Sequence, residues 1–312
     1  MSKFLVTGGA GFIGSNIVEE LLLGGKSVRV LDDFSSGKKA NLLPFQSDVE
    51  LIEGSVQDID KCREAVKDVE VVFHQAAIPS VPKSISNPIL THGINLTGSL
   101  NVLTACKEMG VRRLVFASSS AIYGDAPELP KCEDMFPKPI SPYALHKLSV
   151  EHYNRLFSSL YGLEAVSLRY FNVFGPRQDP KSEYAAVIPK FISMMLSGKA
   201  PTIYGDGKQT RDFIYVKDVA KANLKAAYAK VSHGEVINIA RGGEIDLLTL
   251  IKDLNSVLGT KFEPVFCPAQ LGDIPKSTAS IEKMKRILDF SPIFDFKSGL
   301  AQTVKFYHEA HA

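Results

Sequence analysis

Residue types suited to proton transfer stand close together in the middle of the chain. Tyr143 and Lys147 are four positions apart in the segment SPYALHK, in which Ser141 followed by proline is typical of a helix start. Residues four apart on a helix share one face. A lysine ammonium beside a phenol favours the phenolate, so the pair predicts that Tyr143 acts as a base near neutral pH.

A run of three serines, at 118–120, precedes this segment. A hydroxyl from the run can relay or orient the proton that the phenol takes up. We favour Ser119, which lies four residues before Tyr123, and keep Ser118 and Ser120 as alternatives. An amphipathic helix in which a tyrosine and a lysine align by chance would show the same spacing, so the interpretation depends on a second motif.

That second motif is a glycine-rich loop, TGGAGFIG, which directly follows an apolar run near the N-terminus. Gly8, Gly11 and Gly14 are spaced GxxGxxG rather than GxGxxG, yet they still permit a tight turn and a close approach to a pyrophosphate at a helix N-terminus. Asp32 ends the next apolar run, 18 residues after Gly14. A carboxylate there accepts from a ribose 2′-hydroxyl and repels a 2′-phosphate, so the pattern predicts NAD rather than NADP. The alternative is an ordinary turn with an exposed aspartate.

The first half of the chain alternates short apolar runs with helical patterns, which predicts an α/β fold with a doubly wound parallel sheet of Rossmann type. The run at 236–240 is expected to return to this sheet. The expected strands cover 4–6, 28–31, 49–52, 69–73 and 113–117, and the expected helices cover 13–23, 58–67 and 94–109.

Proline and glycine interrupt the second half at 175–210 and 259–275, which predicts loops and short elements around a substrate site. A second domain is therefore expected to be assembled from separated pieces. The predicted organisation is an NAD-binding domain over 1–169 with about 217–241, and a smaller, discontinuous α/β substrate domain over 170–216 and 242–312.

Composition excludes several function classes. The 312 residues carry 36 Lys and Arg against 34 Asp and Glu, and this balance does not favour a nucleic-acid or membrane-surface partner. No apolar run reaches a membrane-spanning length and no signal-peptide core develops, so a cytoplasmic protein is expected. The four cysteines are far apart and predict reduced thiols rather than disulfides or a zinc site. His308 and His311 lie too near the chain end to predict a metal site.

The segments TGGAGFIGS, SSSAIYGD, SPYALHK, RYFNVFGPRQ and GDGKQTRDFIYVKDV together resemble the extended short-chain dehydrogenase/reductase family, specifically its UDP-hexose 4-epimerases. The resemblance extends from Phe4 to about Leu288. The segments HQAA, SVPKS and QDP followed by YAAVIPK are most similar to epimerases that act on UDP-N-acetylglucosamine. The resemblance implies a bound NAD⁺ that is reduced and reoxidised within one turnover. Tyr143 would take the C4-hydroxyl proton, and the keto sugar would turn over before hydride returns to its other face.

The resemblance also implies the site residues and a homodimer in which helices near 94–109 and 143–161 pair across a two-fold axis. The implied catalytic residues are Ser119, Tyr143 and Lys147. The implied cofactor residues are Gly8, Gly11, Phe12, Ile13, Gly14, Asp32, Asp33, Ser35, Gly37, Ser55, Val56, Gln75, Ala76, Ala77, Asn95, Tyr143, Lys147 and Tyr170.

The implied partner is a UDP-hexose or a UDP-N-acetylhexosamine. Asn172 would lie near the sugar and diphosphate, the backbone of Ala186 and Val187 near uridine, Arg211 on the phosphates and Asp273 on the uridine ribose. The implied substrate residues are Ser80, Lys83, Ser119, Ser120, Asn172, Ala186, Val187, Lys190, Tyr204, Arg211, Gln270, Asp273 and Ser277.

Three positions depart from the family pattern. Ser55 stands where the family usually places an aspartate near the adenine amino group. Gln270 replaces an arginine on the diphosphate, and Lys276 or Lys190 would have to compensate for the lost charge. Pro79 occupies a site that is often glycine in the N-acetyl-type enzymes.

The resemblance also implies that Ser277 occupies the position that gates the hexose, where enzymes restricted to UDP-glucose and UDP-galactose typically carry a tyrosine. A serine leaves room for an N-acetyl group, which implies that UDP-N-acetylglucosamine and UDP-N-acetylgalactosamine are interconverted, with the non-acetylated pair also accepted. Related dehydratases carry an Asp-Glu pair where this chain has Ser120 and Ala121, and related decarboxylases place a Glu at the second position. UDP-glucuronate 4-epimerase and a non-catalytic dinucleotide-binding protein remain as alternatives.

Overall fold

The computed structural model describes residues 3–180, 186–230, 234–269 and 276–311. The strands are β1 (Lys3–Thr7), β2 (Ser27–Asp32), β3 (Val49–Glu53), β4 (Val69–His74), β5 (Arg113–Ser119), β6 (Glu164–Tyr170), β7 (Asn172–Phe174), β8 (Thr202–Tyr204), β9 (Thr210–Arg211), β10 (Phe213–Tyr215), β11 (Glu235–Ile239), β12 (Ile245–Asp246), β13 (Val265–Cys267) and β14 (Lys276–Ser277). The α-helices are α1 (Phe12–Leu23), α2 (Ile59–Val66), α3 (Val81–Ser86), α4 (Pro88–His92), α5 (Gly98–Glu108), α6 (Pro142–Tyr161), α7 (Val187–Leu196), α8 (Val216–Tyr228), α9 (Leu247–Leu258), α10 (Glu282–Leu288) and α11 (Phe296–His311).

Seven strands form one parallel sheet in the order β11-β6-β5-β4-β1-β2-β3. The chain adds strands on one side of β1 and then crosses to the other side, so the strand order reverses between β1 and β4. Thr7 and His74 pair at this point, and the carboxyl ends of both strands are therefore level. A crevice at such a reversal is where doubly wound sheets bind ligands. The predicted fold class and the return of the 236–240 run to the sheet, as β11, are both confirmed.

Both faces of the sheet are buried except at its edge strand β3, where three of the five residues are exposed, and this burial explains the apolar runs of the inner strands. Side chains alternate between the faces: Phe4 and Val6 of β1 pack on one side with α1 and α8, whereas Leu5 packs on the other side. That second side is covered by α2, α5 and α6, with Val150 and Phe157 as contacts from α6.

A third hydrophobic cluster lies outside the two faces of the sheet. It is built from aromatic and aliphatic side chains of β7, β10, α7, α9 and α11, including Phe174, Phe213 and Phe296. Small sheets accompany it: β7 with β10, β8 with β13, and β9 between β12 and β14. The predicted domain boundaries stay a prediction, and this cluster is the core that a substrate domain would need.

The predicted helix at 94–109 differs from the observed one in its first turn. A π-helical turn, Gly93–Thr97, joins α4 to α5. Such turns are rare and frequently occur at functional sites, and this one contains Asn95. No helix within the described ranges is long and apolar enough to cross a membrane.

Candidate active site

The glycine-rich loop between β1 and α1 is shaped for a close-packed ligand. Gly8 has a φ of +68°, and a Cβ on it would lie 2.7 Å from the backbone nitrogen of Ala76. A Cβ on Gly14 would lie 2.1 Å from the carbonyl oxygen of Gly8. Helix α1 begins after Gly11 and has no side-chain cap, so its first N–H groups can bind an anion. Phe12 and Ile13 supply the first of these groups. The loop therefore fits a pyrophosphate.

Asp32 is held rigidly at the end of β2. Its side chain is buried and accepts from the backbone N–H groups of Ala10 and Phe34, both at 2.8 Å. Burial raises the pKa of Asp32, while the two backbone hydrogen bonds act in the opposite direction. Gly37 packs against the carboxylate, where a Cβ would lie 2.7 Å from Oδ1. The carboxylate is thus fixed where a ribose hydroxyl would donate to it.

Lysines that follow this carboxylate are neutralised by neighbours. Lys38 pairs with Asp179 at 2.9 Å, and Lys39 pairs with Glu53 at 3.1 Å. A 2′-phosphate would need such a cation, so the pairing agrees with NAD.

Ser55, which replaces the aspartate of the family pattern, contacts Asp33. Burial acts to raise the pKa of Asp33. Hydrogen bonds from Ser35 and from the Ser55 hydroxyl outweigh this effect, so the pKa of Asp33 is lowered. Asp33 also accepts from the Ser35 backbone N–H at 2.9 Å. Asp33 therefore supplies a negative charge beside the position where the family pattern has an aspartate.

A chain of buried hydrogen bonds connects the glycine-loop strand to α5. The Ala76 N–H donates to the Thr7 hydroxyl at 3.3 Å, and that hydroxyl lies 2.7 Å from Nδ1 of His74. Nε2 of His74 lies 2.8 Å from the Ser99 hydroxyl, which donates to the Asn95 carbonyl at 2.7 Å. Because the Ser99 proton is committed, Nε2 must donate and Nδ1 must accept from Thr7. Burial and the nearby lysine ammonium lower the pKa of His74 to about 3, so it is neutral.

Several implied cofactor residues bind other parts of the protein. The Asn95 side chain accepts from the backbone N–H of Ile78 at 2.8 Å and donates to the Ile78 carbonyl at 3.1 Å. The Gln75 side-chain amide donates to the Tyr170 hydroxyl at 3.2 Å, and that hydroxyl donates to the side-chain oxygen of Asn223 at 2.9 Å. These residues position the segment after β4, which includes Ala77. Val56 is buried in the core beneath α5.

Tyr143, Ser119 and Lys147 converge at the carboxyl end of β5. The Ser119 hydroxyl lies beside the Tyr143 phenol, where hydrogen bonding from it lowers the pKa of the phenol. Lys147 is buried, donates to the Ala117 carbonyl at 2.7 Å and places Nζ 5.8 Å from the centre of the Tyr143 ring. Burial lowers the pKa of Lys147 to about 7 and raises that of Tyr143, which the Ser119 hydrogen bond partly offsets. Burial therefore outweighs the hydrogen bond at the phenol, and the role of Tyr143 as a base stays a prediction.

The three serines of the run have different surroundings. Successive side chains of a strand point to opposite faces, so Ser118 turns away from the phenol that Ser119 contacts. The Ser118 hydroxyl donates to Glu151 at 2.6 Å, and that carboxylate forms a buried bidentate pair with Arg169 at 2.9 and 2.7 Å. Ser120 begins the short 3₁₀-helix Ser120–Tyr123. The geometry favours Ser119.

A serine that the sequence reasoning did not assign holds the first turn of α6. The backbone N–H of Tyr143 donates to Ser84 at 3.1 Å, and the Ser84 hydroxyl donates to the Val81 carbonyl at 2.7 Å. Ser84 is fully buried. Ser141 caps the next N–H group of the helix. The only signal in the sequence was the segment SVPKS, whose separation from Tyr143 hid the contact.

Implied substrate residues from separate elements lie on neighbouring strands. Ser277 of β14 pairs in register with Arg211 of β9, and both are partly buried. The Asn172 side-chain amide donates to the backbone carbonyl of Asp212, next to Arg211, at 3.3 Å.

Other implied substrate residues begin helices or pack beside them. Ser80 caps α3 through the N–H of Lys83, and Ala186 precedes Val187 at the start of α7. The Lys190 ammonium lies over the Tyr204 ring, 5.8 Å from its centre. Gln270 and Asp273 lie outside the described residues.

The part of the chain that the structure describes contains no group of three or more His, Cys, Asp or Glu side chains able to hold a metal ion. All four cysteines are free.

Comparison with known proteins identifies the family. Residues 4–240 match the model of the NAD dependent epimerase/dehydratase family. The chain belongs to this family. Its predicted membership, its nature as an enzyme and NAD as its cofactor are confirmed.

The relatives are similar along their whole length. The putative UDP-glucose 4-epimerase of Methanocaldococcus jannaschii is 41% identical, with 96% of each chain covered. The structure of UDP-N-acetylglucosamine 4-epimerase from Methanobrevibacter ruminantium M1 in complex with UDP-N-acetylmuramic acid is 42% identical, with a TM-score of 0.95 and 99% of each chain covered. The structure of Thermus thermophilus UDP-glucose 4-epimerase in complex with NAD is 38% identical, with a TM-score of 0.89 and 99% of each chain covered. These relatives place the chain among the UDP-sugar 4-epimerases of the family.

Proposed function

We propose that this enzyme interconverts UDP-N-acetylglucosamine and UDP-N-acetylgalactosamine and also accepts UDP-glucose and UDP-galactose. The observation that carries the proposal is the pairing of Ser277 with Arg211 on adjacent strands. If Arg211 binds the diphosphate, residue 277 lies beside the substrate and its volume limits which hexose can turn. A serine there leaves the space that an N-acetyl group needs.

Similarity supports both halves of this specificity. The Methanobrevibacter ruminantium relative is named for UDP-N-acetylglucosamine, and the Methanocaldococcus jannaschii relative is named, as putative, for UDP-glucose. A pocket open enough for the larger sugar admits the smaller one, because a missing substituent in an open pocket causes no clash.

The residues around Tyr143 account for the proton in the proposed reaction. When bound, NAD⁺ would accept the C4 hydride and would bring a positive charge to the site. Tyr143 takes the C4-hydroxyl proton, while the neighbouring Ser119 hydroxyl orients the phenol by hydrogen bonding. Lys147, fixed by the Ala117 carbonyl, adds its charge when protonated. The proton and the hydride both return to the sugar, so the reaction is an isomerisation with no net redox change.

The substrate has to be held by its nucleotide and left free at its hexose. Arg211 and Asn172 are proposed to hold the diphosphate end, where a guanidinium suits phosphate oxygens. Elimination or decarboxylation would need an acid near the sugar, and the two positions where related enzymes carry one are Ser120 and Ala121. These residues favour epimerisation over either rival reaction.

A coupled assay of the purified enzyme against UDP-glucose, UDP-N-acetylglucosamine and UDP-glucuronate tests the proposal. We expect turnover of the first two and no measurable turnover of the third. Turnover confined to UDP-glucuronate would replace the proposal with the glucuronate alternative. Bound NAD that forms no NADH signal with any of the UDP-sugars would favour a non-catalytic protein.

We also propose a homodimer that buries the outer face of α6. Leu145, Leu156 and Leu160 are exposed on this helix by 52%, 51% and 66%, and a stripe of this kind is costly to leave in water. Light scattering should give twice the chain mass, and Leu156→Glu should give a monomer. A wild-type monomer at micromolar concentration would contradict the proposal.

A further inference from the structure

A buried carboxylate outside the implied site stands directly after Arg211. Asp212 is fully buried, and its oxygens accept from converging backbone N–H groups. Oδ1 accepts from Arg241 at 2.9 Å and from Gly242 at 3.2 Å. Oδ2 accepts from Gly242 at 3.1 Å and from Ala279 at 3.2 Å.

These contacts join segments that are far apart in the sequence. Ala279 lies two residues after Ser277, and residues 241–242 form the turn after β11. The backbone carbonyl of Asp212 additionally accepts from the Asn172 side chain at 3.3 Å. The segments that meet at Asp212 thus carry, or directly adjoin, three residues proposed to contact the UDP-sugar.

We infer that Asp212 is a positioning residue whose carboxylate holds the segments after β11 and β14 against Arg211, and so sets Arg211 and Ser277 for binding a UDP-sugar. This inference rests on the proposed function and deepens it, because it names what assembles the substrate side of the site. A carboxylate is required chemically, since three N–H donors converge on two oxygens that must both accept. An asparagine would turn an NH₂ group towards at least one of these donors.

The charge on Asp212 is maintained although the group is buried. Burial raises its pKa to about 6, and the hydrogen bonds from Ala279, Arg241 and Gly242 act against this rise, together with the positive charge of Arg241. The carboxylate is therefore ionised at neutral pH.

The segment after β14 has a second attachment that does not involve Asp212. Lys131 donates its backbone N–H to Thr278 at 2.8 Å and accepts from the N–H of Ser280 at 2.9 Å. A change at Asp212 should consequently shift this segment rather than release it, and the variant should retain the fold.

A second buried aspartate provides a matched control. Asp218, near the start of α8, is fully buried and accepts from the backbone N–H groups of Ile293 and Phe294 at 2.8 and 3.2 Å. Burial raises its pKa as well. It makes the same kind of contact as Asp212, but it joins no residue proposed for the substrate.

The test compares Asp212→Asn and Asp218→Asn with the wild type, each loaded with NAD. Calorimetry with UDP gives the Kd, and steady-state kinetics with UDP-N-acetylgalactosamine give kcat and KM. We expect Asp212→Asn to raise the UDP Kd and the KM at least about tenfold, with bound NAD unchanged and kcat much less affected. Asp218→Asn should lower the Tm while leaving the UDP Kd within about twofold of the wild type.

Three outcomes would count against the inference. An unchanged UDP Kd in Asp212→Asn, or an equal rise in both variants, would reduce Asp212 to a structural role. A fall in kcat at constant KM would contradict a role in substrate binding. Wild-type enzyme that binds no UDP would instead overturn the proposed function, on which the inference depends.

Hydrogen exchange of the wild type decides the question if Asp212→Asn does not fold. UDP should slow exchange in 240–243 and in 276–280 together, because Asp212 ties both segments to β9. Protection of one segment without the other would overturn the inference.

Discussion

The Ser84 hydroxyl accepts the backbone N–H of Tyr143 at 3.1 Å across a sequence separation of 59 residues. Ser84 belongs to α3, which Ser80 caps and which also carries Lys83, and both of these residues are implied in substrate binding. The hydrogen bond therefore connects the proposed sugar side of the site to the helix that carries the proposed base. Since Pro142 has no N–H, this contact satisfies the first free donor of α6.

We expect Ser84→Ala to lower kcat about tenfold with little change in KM, because an unsatisfied first turn of α6 leaves Tyr143 less well placed. Steady-state kinetics measure both constants. Ser86→Ala, on the exposed side of the same helix, is the control and should resemble the wild type. Equal kinetics for the two variants would contradict the positioning role.

Replacement of the base itself should have a larger effect. Tyr143→Phe removes the phenol that Ser119 contacts, and epimerisation should fall by roughly 10²–10⁴-fold, as is typical for a lost general base. Binding of UDP should persist. Tyr153→Phe on the same helix should keep its activity, and near-normal kcat in Tyr143→Phe would refute the assignment.

Cofactor choice should depend on Asp32. Asp32→Ala should weaken NAD binding and reduce the discrimination against NADP, because the carboxylate that repels a 2′-phosphate is gone. Mass spectrometry of the denatured wild type should show NAD(H) and no NADP, and Asp48→Ala should behave as the wild type. If NADP is found instead, Lys38 or Lys39 governs the ribose end despite its ion pair.

Sugar specificity should depend on residue 277. A tyrosine ring in place of Ser277 fills the space proposed for an N-acetyl group, so Ser277→Tyr should abolish turnover of UDP-N-acetylgalactosamine and spare UDP-galactose. Competition between the two sugars in one coupled assay measures the ratio directly. Wild-type enzyme active on UDP-galactose alone would show that a serine at position 277 is not sufficient to admit the N-acetylated sugar.

Stability should fall in acid partly because of His74. Its pKa is about 3 in the folded protein, against 6.5 when unfolded, so between these values the unfolded state binds more protons. Stability contributed by the neutral ring is complete above about pH 6.5 and is lost as the pH falls towards 3. His74→Gln can make both hydrogen bonds without titrating, and its unfolding free energy should show a slope smaller by about 1.4 kcal/mol per pH unit near pH 5. Chemical denaturation measures the slope, and an unchanged slope, or the same change in the exposed His152→Gln, would exclude His74 as the source.

Much of this protein could be predicted from local patterns in the sequence. The expected strands lie within one or two residues of β1 to β5, because buried parallel strands are apolar runs and the more exposed edge strand β3 still carries Val49, Leu51 and Ile52. The glycine loop, the acid at Asp32 and the i, i+4 pair of Tyr143 and Lys147 are equally local, since each depends on the backbone within a few residues. These patterns were sufficient to indicate the fold class and the cofactor.

Only the tertiary structure decided which of these groups meet and in what environment. Ser118 and Ser119 are neighbours in the sequence, yet the pleat of β5 sends one to a buried ion pair and the other to the phenol. The contacts of Ser84 with Tyr143 and of Asp212 with the segment that follows Ser277 join residues whose separation leaves no periodic signal. Burial, which raises the pKa of Tyr143 and lowers that of Lys147, depends on everything packed around them. Local sequence specifies conformation, whereas mutual distance and desolvation are properties of the whole folded chain.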